Sequence, residues 1–193
     1  MKKLLVLTAF AVAGIGVGIG QSVTGQQAKN LVTGAAEVWM QDEINTPKYV
    51  KFAPGEELNP NELSNWLKQF TKDSGFGLKE INKRTDKLRQ AHVTYQVTYK
   101  GIPVSFNRII AHIENGKVTS VNGNFNLSSP SSTQAGITES TALTNALNSI
   151  NAQTYKWEVP AEEQLLKNET GNPSATFYPE GELCYVQHDA RID

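Results

Sequence analysis

The stretch 92–125 constrains the fold most. Along 92–99 apolar and polar residues alternate without a break: Val93, Tyr95, Val97 and Tyr99 fall on one side, His92, Thr94, Gln96 and Thr98 on the other. A period of two, rich in β-branched and aromatic side chains, predicts a half-buried strand. Lys100-Gly101 interrupts it, and Gly101 supplies the positive φ that a tight turn needs. Ile102 is held extended by the proline after it, and Pro103, which has no N–H, belongs at a strand start or edge. A second strand follows over 104–113, its apolar set slipping at Asn107-Arg108 as at a bulge. Asn115 and Gly116 both tolerate φ > 0 and form the strongest short hairpin signal in the chain. A third strand over 117–125 puts Val121, Gly123 and Phe125 on one side.

The flanking segments are less regular. Residues 21–34 are polar and read as a mobile lead-in, and 35–45, around Trp39 and Met40, admit a strand or a short helix. Residues 48–52 are extended between Thr46-Pro47 and Ala53-Pro54-Gly55. Asn59, Pro60 and Glu62 open a helix with Leu63, Trp66, Leu67 and Phe70 on one face, and Gly75 and Gly77 close it. Residues 78–88 read as another strand with a basic turn at Lys83-Arg84. Beyond a polar connector at 128–132, Thr138 caps a helix with Glu139 in its first turn and a stripe of Leu143, Ala146, Leu147 and Ile150 suited to packing on a sheet. A short helix over 162–166 and a hairpin of 175–178 with 182–186 around Pro179-Glu180-Gly181 are expected next. The fold class is α+β: an antiparallel β-sheet with packed helices, followed by an incomplete second α+β unit that reads as a fragment.

Met1-Lys2-Lys3 and the apolar run 4–20 read as a secretory signal of bacterial, Sec-type character, ahead of the alternative of a membrane anchor, for which the run is near the lower length limit, with Gly18 and Gly20 ahead of Gln21 as one cleavage option and Val23 and Gly25 ahead of Gln26 as another. The expected organisation is signal peptide 1–20, flexible lead-in 21–45, sheet domain 46–127, linker 128–136 and second unit 137–193. Net charge is −1 over 193 residues, so no basic stripe argues for nucleic acid. After cleavage no membrane association is expected. The single cysteine, Cys184, excludes a disulfide within the chain and reads as a small core residue of a strand. The histidines are His92, His112 and His188, and none has a partner at metal-ligand spacing on a helix, although His92 and His112 can meet on neighbouring strands. No Gly-x-Ser-x-Gly elbow, P-loop or dinucleotide fingerprint is present. No catalytic, cofactor or metal residue is therefore assigned.

His92, Gln96, Tyr99, Gly101, Pro103 and Val104, with the hairpin at Gly116 and the step from Val121 to Gly123, resemble the FTP domain, the fungalysin/thermolysin propeptide of secreted zinc metallopeptidases. Two departures stand out: Thr94 where an Arg is common, and Ser105-Phe106 in place of the Gly usual just after the Pro-Val pair. Residues 137–150, then Tyr155, Trp157, Pro160 and Glu163, then Phe177, Pro179 and Gly181, are similar to the later pro-region of thermolysin-like (M4 family) precursors, where a PepSY-like unit follows. The resemblance runs from Val50 to the C-terminus. It implies a pro-region that acts as intramolecular chaperone and inhibitor of a zinc metallopeptidase catalytic domain, in cis or in trans, with the zinc in that domain. The motif residues then carry structural or partner contacts, and Arg108 with the polar face of the central strands is the candidate partner surface. A free-standing secreted inhibitor or binding module is the second expectation, and a cell-surface adhesion module that has borrowed the sheet is the third.

Overall fold

The computed structural model describes residues 22–41, 46–130, 132 and 134–186. The expected signal peptide, His188 and the chain's last residues lie outside that set. Seven strands form one antiparallel sheet: β1 (Ser22–Thr24), β2 (Ala35–Gln41), β3 (Thr46–Phe52), β4 (Phe76–Thr85), β5 (Ala91–Tyr99), β6 (Ile102–Glu114) and β7 (Lys117–Gly123). Their order is β1-β2-β3-β7-β6-β5-β4, so two runs of neighbours meet where β3 pairs with β7. Helix α1 (Gly25–Leu31) joins β1 to β2. Helix α2 (Leu63–Leu67), extended by 3-10 turns at Pro60–Glu62 and Lys68–Phe70, joins β3 to β4.

Directly paired residues share a face of a sheet, and one cross-strand row defines the core. It runs Val23, Val38, Val50, Val121, Ala111, Val93, with Lys83 at the β4 edge. From Val38 to Val93 every member of that row is essentially solvent-free. The helices close over this face: Ala28 and Val32 from α1 and its C-cap, and Leu63 and Leu67 from α2, belong to the same buried cluster. Trp66 sits edge-on to Phe52, Phe70 and Phe125 at centroid distances of 5.4, 5.1 and 5.8 Å. The expected face of Leu63, Trp66, Leu67 and Phe70 is thus the one that packs. Each fully buried Val, Leu or Phe contributes about 1.5–3 kcal/mol.

Both tight hairpins form as two-residue turns. Lys100 and Gly101 have φ of 49° and 83° between the paired Tyr99 and Ile102, and Asn115 and Gly116 have 50° and 78° between Glu114 and Lys117. The turn before β5 differs from expectation. Lys83 and Arg84 lie within β4, opposite Val93 and His92. The reversal comes later, where the Asp86 carboxylate accepts from the N–H groups of Leu88 (2.8 Å) and Gln90 (3.0 Å). An Asp that can close a turn on its own side chain outweighs two lysine-like residues that can extend a strand.

The two ends of the chain depart in part from expectation. Residues 22–34, read as a mobile lead-in, hold β1 and α1, with Ala28 fully buried, whereas 35–41, open to a strand or a short helix, form the strand β2. Downstream, α3 (Glu139–Ile150) forms as expected, with Thr138 Oγ1 accepting from Thr141 N at 3.2 Å, but it buries no residue and does not lie on a sheet. A 3-10 turn at Lys156–Glu158 leads into α4 (Pro160–Thr170), longer than anticipated. The hairpin of 175–186 is absent among the described residues. Its backbone donors go to helix carboxylates instead: Phe177 N to Glu163 Oε1 (2.8 Å) and Gly181 N to Glu139 Oε1 (2.8 Å). With no ladder there, Cys184 is exposed rather than buried. Residues 137–186 contain no strand pair of their own among the described residues, so a PepSY-like sheet is not formed by this stretch.

Candidate functional site

The face of the sheet opposite the helices is open. Two cross-strand rows flank the core row on that side. One runs Thr24, Glu37, Lys51, Ser120, His112, His92, Arg84. The other runs Ser22, Trp39, Tyr49, Asn122, Ile110, Thr94, Asn82. A shorter third row aligns Lys79, Gln96 and Arg108. The charges on these rows are Lys51, Lys79, Arg84 and Arg108 against Glu37, with the Asp86 carboxylate beside His92 and Glu57 and Glu114 lining the same hollow as Lys51 and His112, so the excess of positive charge lies at Lys79 and Arg108. Trp39 is 44% exposed, meets Tyr49 edge-on at 5.9 Å and donates from Nε1 to Glu37 Oε1 at 2.7 Å. The polar, aromatic and basic side chains of this face are held in register by strands whose other side is fixed in the core.

His92 and His112 meet as the sequence allows. Their Nδ1 atoms are 2.8 Å apart, His92 Nε2 lies 3.1 Å from Asp86 Oδ2, and His112 Nε2 lies 2.7 Å from Asn122 Oδ1. A bond between two Nδ1 atoms needs one donor and one acceptor, so a single proton lies between the rings whichever way the Asn122 amide is turned. The His92 ring and, after it, the Gln90 N–H hold the Asp86 carboxyl below the usual carboxylate range. No group of three or more His, Cys, Asp or Glu able to hold a metal occurs among the described residues.

Gln96 is the device that builds the β6 bulge. Its Nε2 shares its protons among the carbonyls of Val104 (2.6 Å), Asn107 (2.9 Å) and Val97 (3.1 Å). These are acceptors the ladder abandons where the β5–β6 register jumps between Gln96 and Thr98. The bulge also frees the start of β6 as an edge, as Pro103 requires. Ser105 N donates to Tyr185 O (2.6 Å) and Tyr185 N donates to Pro103 O (2.8 Å), so one residue of the C-terminal segment covers that edge. Val104 is buried beneath it, and Asn107 is 1% exposed. Gly123 is where β7 passes the bulge: a Cβ there would strike the Arg108 carbonyl. Of the other motif residues, Gly101 and Gly116 occupy left-handed turn positions, and Tyr99 donates from its hydroxyl to Asp73 Oδ2 at 2.7 Å. The Gly75 N–H, then the Tyr99 hydroxyl, hold the Asp73 carboxyl below its ordinary value. Arg108 is exposed and lies opposite Gln96 on the open face.

Sequence reasoning did not single out Asp73 or Asp86, and it met Phe106 only as a departure from the family pattern. Asp73-x-Gly75 and Asp86-x-Leu88 are local side-chain-to-backbone turns that an Asp two residues ahead of a turn could have signalled. Phe106 has no such signal: it is 93% exposed with a φ of 58°. Among the described residues no helix is long and apolar enough to cross a membrane.

Residues 76–125, which span β4 to β7 and Phe125, match the family model described as the Fungalysin/Thermolysin Propeptide Motif, FTP. The match ends before α3 and does not extend over the stretch likened to a PepSY unit. No protein with a curated description matches the chain.

Proposed function

We propose that this chain is the pro-region of a secreted zinc metallopeptidase of the thermolysin kind, which binds the peptidase domain, assists its folding and blocks its cleft until removed. One observation carries the reading: the propeptide match over 76–125 falls on strands whose inner face is used up by the core and whose outer face is ordered and open. A partner that binds only the folded peptidase stabilises it by mass action, and a covalent tether raises the effective concentration further. The zinc of such a pair belongs to the peptidase. Thermolysin-type chemistry needs two imidazoles and a carboxylate along one helix, whereas His92 and His112 stand on strands and turn their Nδ1 atoms toward each other.

The N-terminal segment is read as a cleaved export signal. Cleavage ahead of Gln21 leaves β1 intact, whereas cleavage ahead of Gln26 removes it, so the first option fits the sheet. Residues 137–186 are read as a partial PepSY-like continuation whose apolar helix stripe awaits a covering surface.

The test is inhibition. The purified chain is titrated against thermolysin, a fungalysin and the zinc peptidases secreted by the producing organism, with peptide hydrolysis as the readout. The expected result is tight inhibition of at least one of them and faster recovery of activity when that peptidase refolds with the chain present. No inhibition and no effect on refolding across the set would sink the reading. Inhibition in trans without any peptidase encoded in frame would favour a free-standing inhibitor.

A further inference from the structure

We propose that Phe106 is the anchor by which the open face engages its partner, and that the partner presents an apolar pocket rimmed by carboxylates. The proposal rests on the peptidase-binding reading above and names the contact within it. Phe106 is the most exposed large hydrophobic side chain among the described residues, at 93%. Its φ of 58° is a left-handed conformation in which a bulky Cβ is strained and glycine is not. Folding therefore gains nothing from a phenyl ring here: it is strained and buries no area. Exposed apolar residues occurring singly are ordinary, but this one is held in place. Val104, two residues before it, and Asn107, just after it, are each 1% exposed, and their carbonyls are tied to the Gln96 amide. Ser105 is tied to Tyr185 through its N–H. The bulge thus presents an exposed aromatic on a backbone that is already fixed, so a partner would have only the ring's own rotamers left to order, which is the pattern of an interface hot spot. The charge beside it fixes the sign of the rim: Arg108 follows two residues later and is aligned with Lys79 across Gln96.

The experiment compares the full chain with Phe106→Gly, Phe106→Asn and, as an exposed control, Leu88→Ala, against the peptidase that the wild-type chain inhibits. Glycine and asparagine both suit the left-handed backbone, so the two variants are expected to fold, with a midpoint for Phe106→Gly higher by about 4 °C. Binding is expected to weaken at least about tenfold for both variants, mainly through faster dissociation, while Leu88→Ala stays within about twofold. A stability gain joined to an affinity loss is a signature that a merely structural phenylalanine would not give. Wild-type affinity in Phe106→Gly overturns the anchor and leaves the peptidase reading intact. A variant that loses self-association but keeps peptidase affinity also overturns it, by assigning the ring to a second copy of this chain. If the wild-type chain binds no peptidase, both fall.

Discussion

Gln96 illustrates how one side chain decides a local backbone. Its amide serves three carbonyls that would otherwise face the interior of a bulge without a donor. Gln96→Leu keeps the volume and deletes the donors, and is expected to destabilise the chain by about 2–3 kcal/mol in urea unfolding; a loss under half of that would mean the carbonyls find water instead. Asp73 offers a pH prediction. Its folded pKa is depressed, so the stability it supplies is present above the unfolded carboxylate value near 4 and is lost as pH falls through the folded value. Tyr99→Phe removes one of the hydroxyl and amide donors that depress it and raises the folded value toward the unfolded one, so the stability lost on acidification should be smaller and its loss complete at a higher pH. Melts across about pH 2 to 6 would show this, and superimposable acid limbs for the two proteins would contradict it. Arg108 and the turn glycines were visible in the sequence because turn and bulge chemistry is local, whereas Gln96 was visible only through the family motif. Phe106 was visible only as a departure from a pattern, since neither its φ nor its exposure is written in residue type.

At the level of elements, legibility followed periodicity. β5, the two-residue hairpins and the apolar face of α2 could be read because each repeats a period or carries a turn residue. β1 and α1 could not, because Gln26, Gln27, Lys29 and Asn30 surround a single buried Ala28 and a seven-residue helix has no room for a stripe. The expected hairpin at 175–186 failed for the opposite reason: Glu163 and Glu139 capture its backbone donors from outside the segment. The helices also differ in what they contribute. Leu63 is 1% exposed in the shared core, whereas Leu147 is only half-buried on α3, which has no fully buried residue. Leu63→Ala is expected to cost about 2–5 kcal/mol, and Leu147→Ala within about 0.5 kcal/mol of zero. Equal losses in chemical denaturation would show that α3 is part of the cooperative core after all.

On the scale of the whole molecule the sheet separates two tasks, a face closed by helices and a face left to solvent that carries Lys79 and Arg108 beside the bulge. Binding through the second should weaken as salt rises, and Lys79→Glu with Arg108→Glu should slow association more than they speed dissociation; stopped-flow rates insensitive to both would remove charge from the encounter. The pairing of β3 with β7 carries a practical consequence. The matched motif begins at Phe76, yet the strand that flanks its last member, and the helix that roofs it, come from upstream. A clone trimmed to 76–125 would bare Val121 and Phe125 to water and is expected to give no cooperative melt, whereas 22–127 should give one. Failure of the shorter piece to bind a peptidase would then report a misplaced scissor cut rather than a missing interaction.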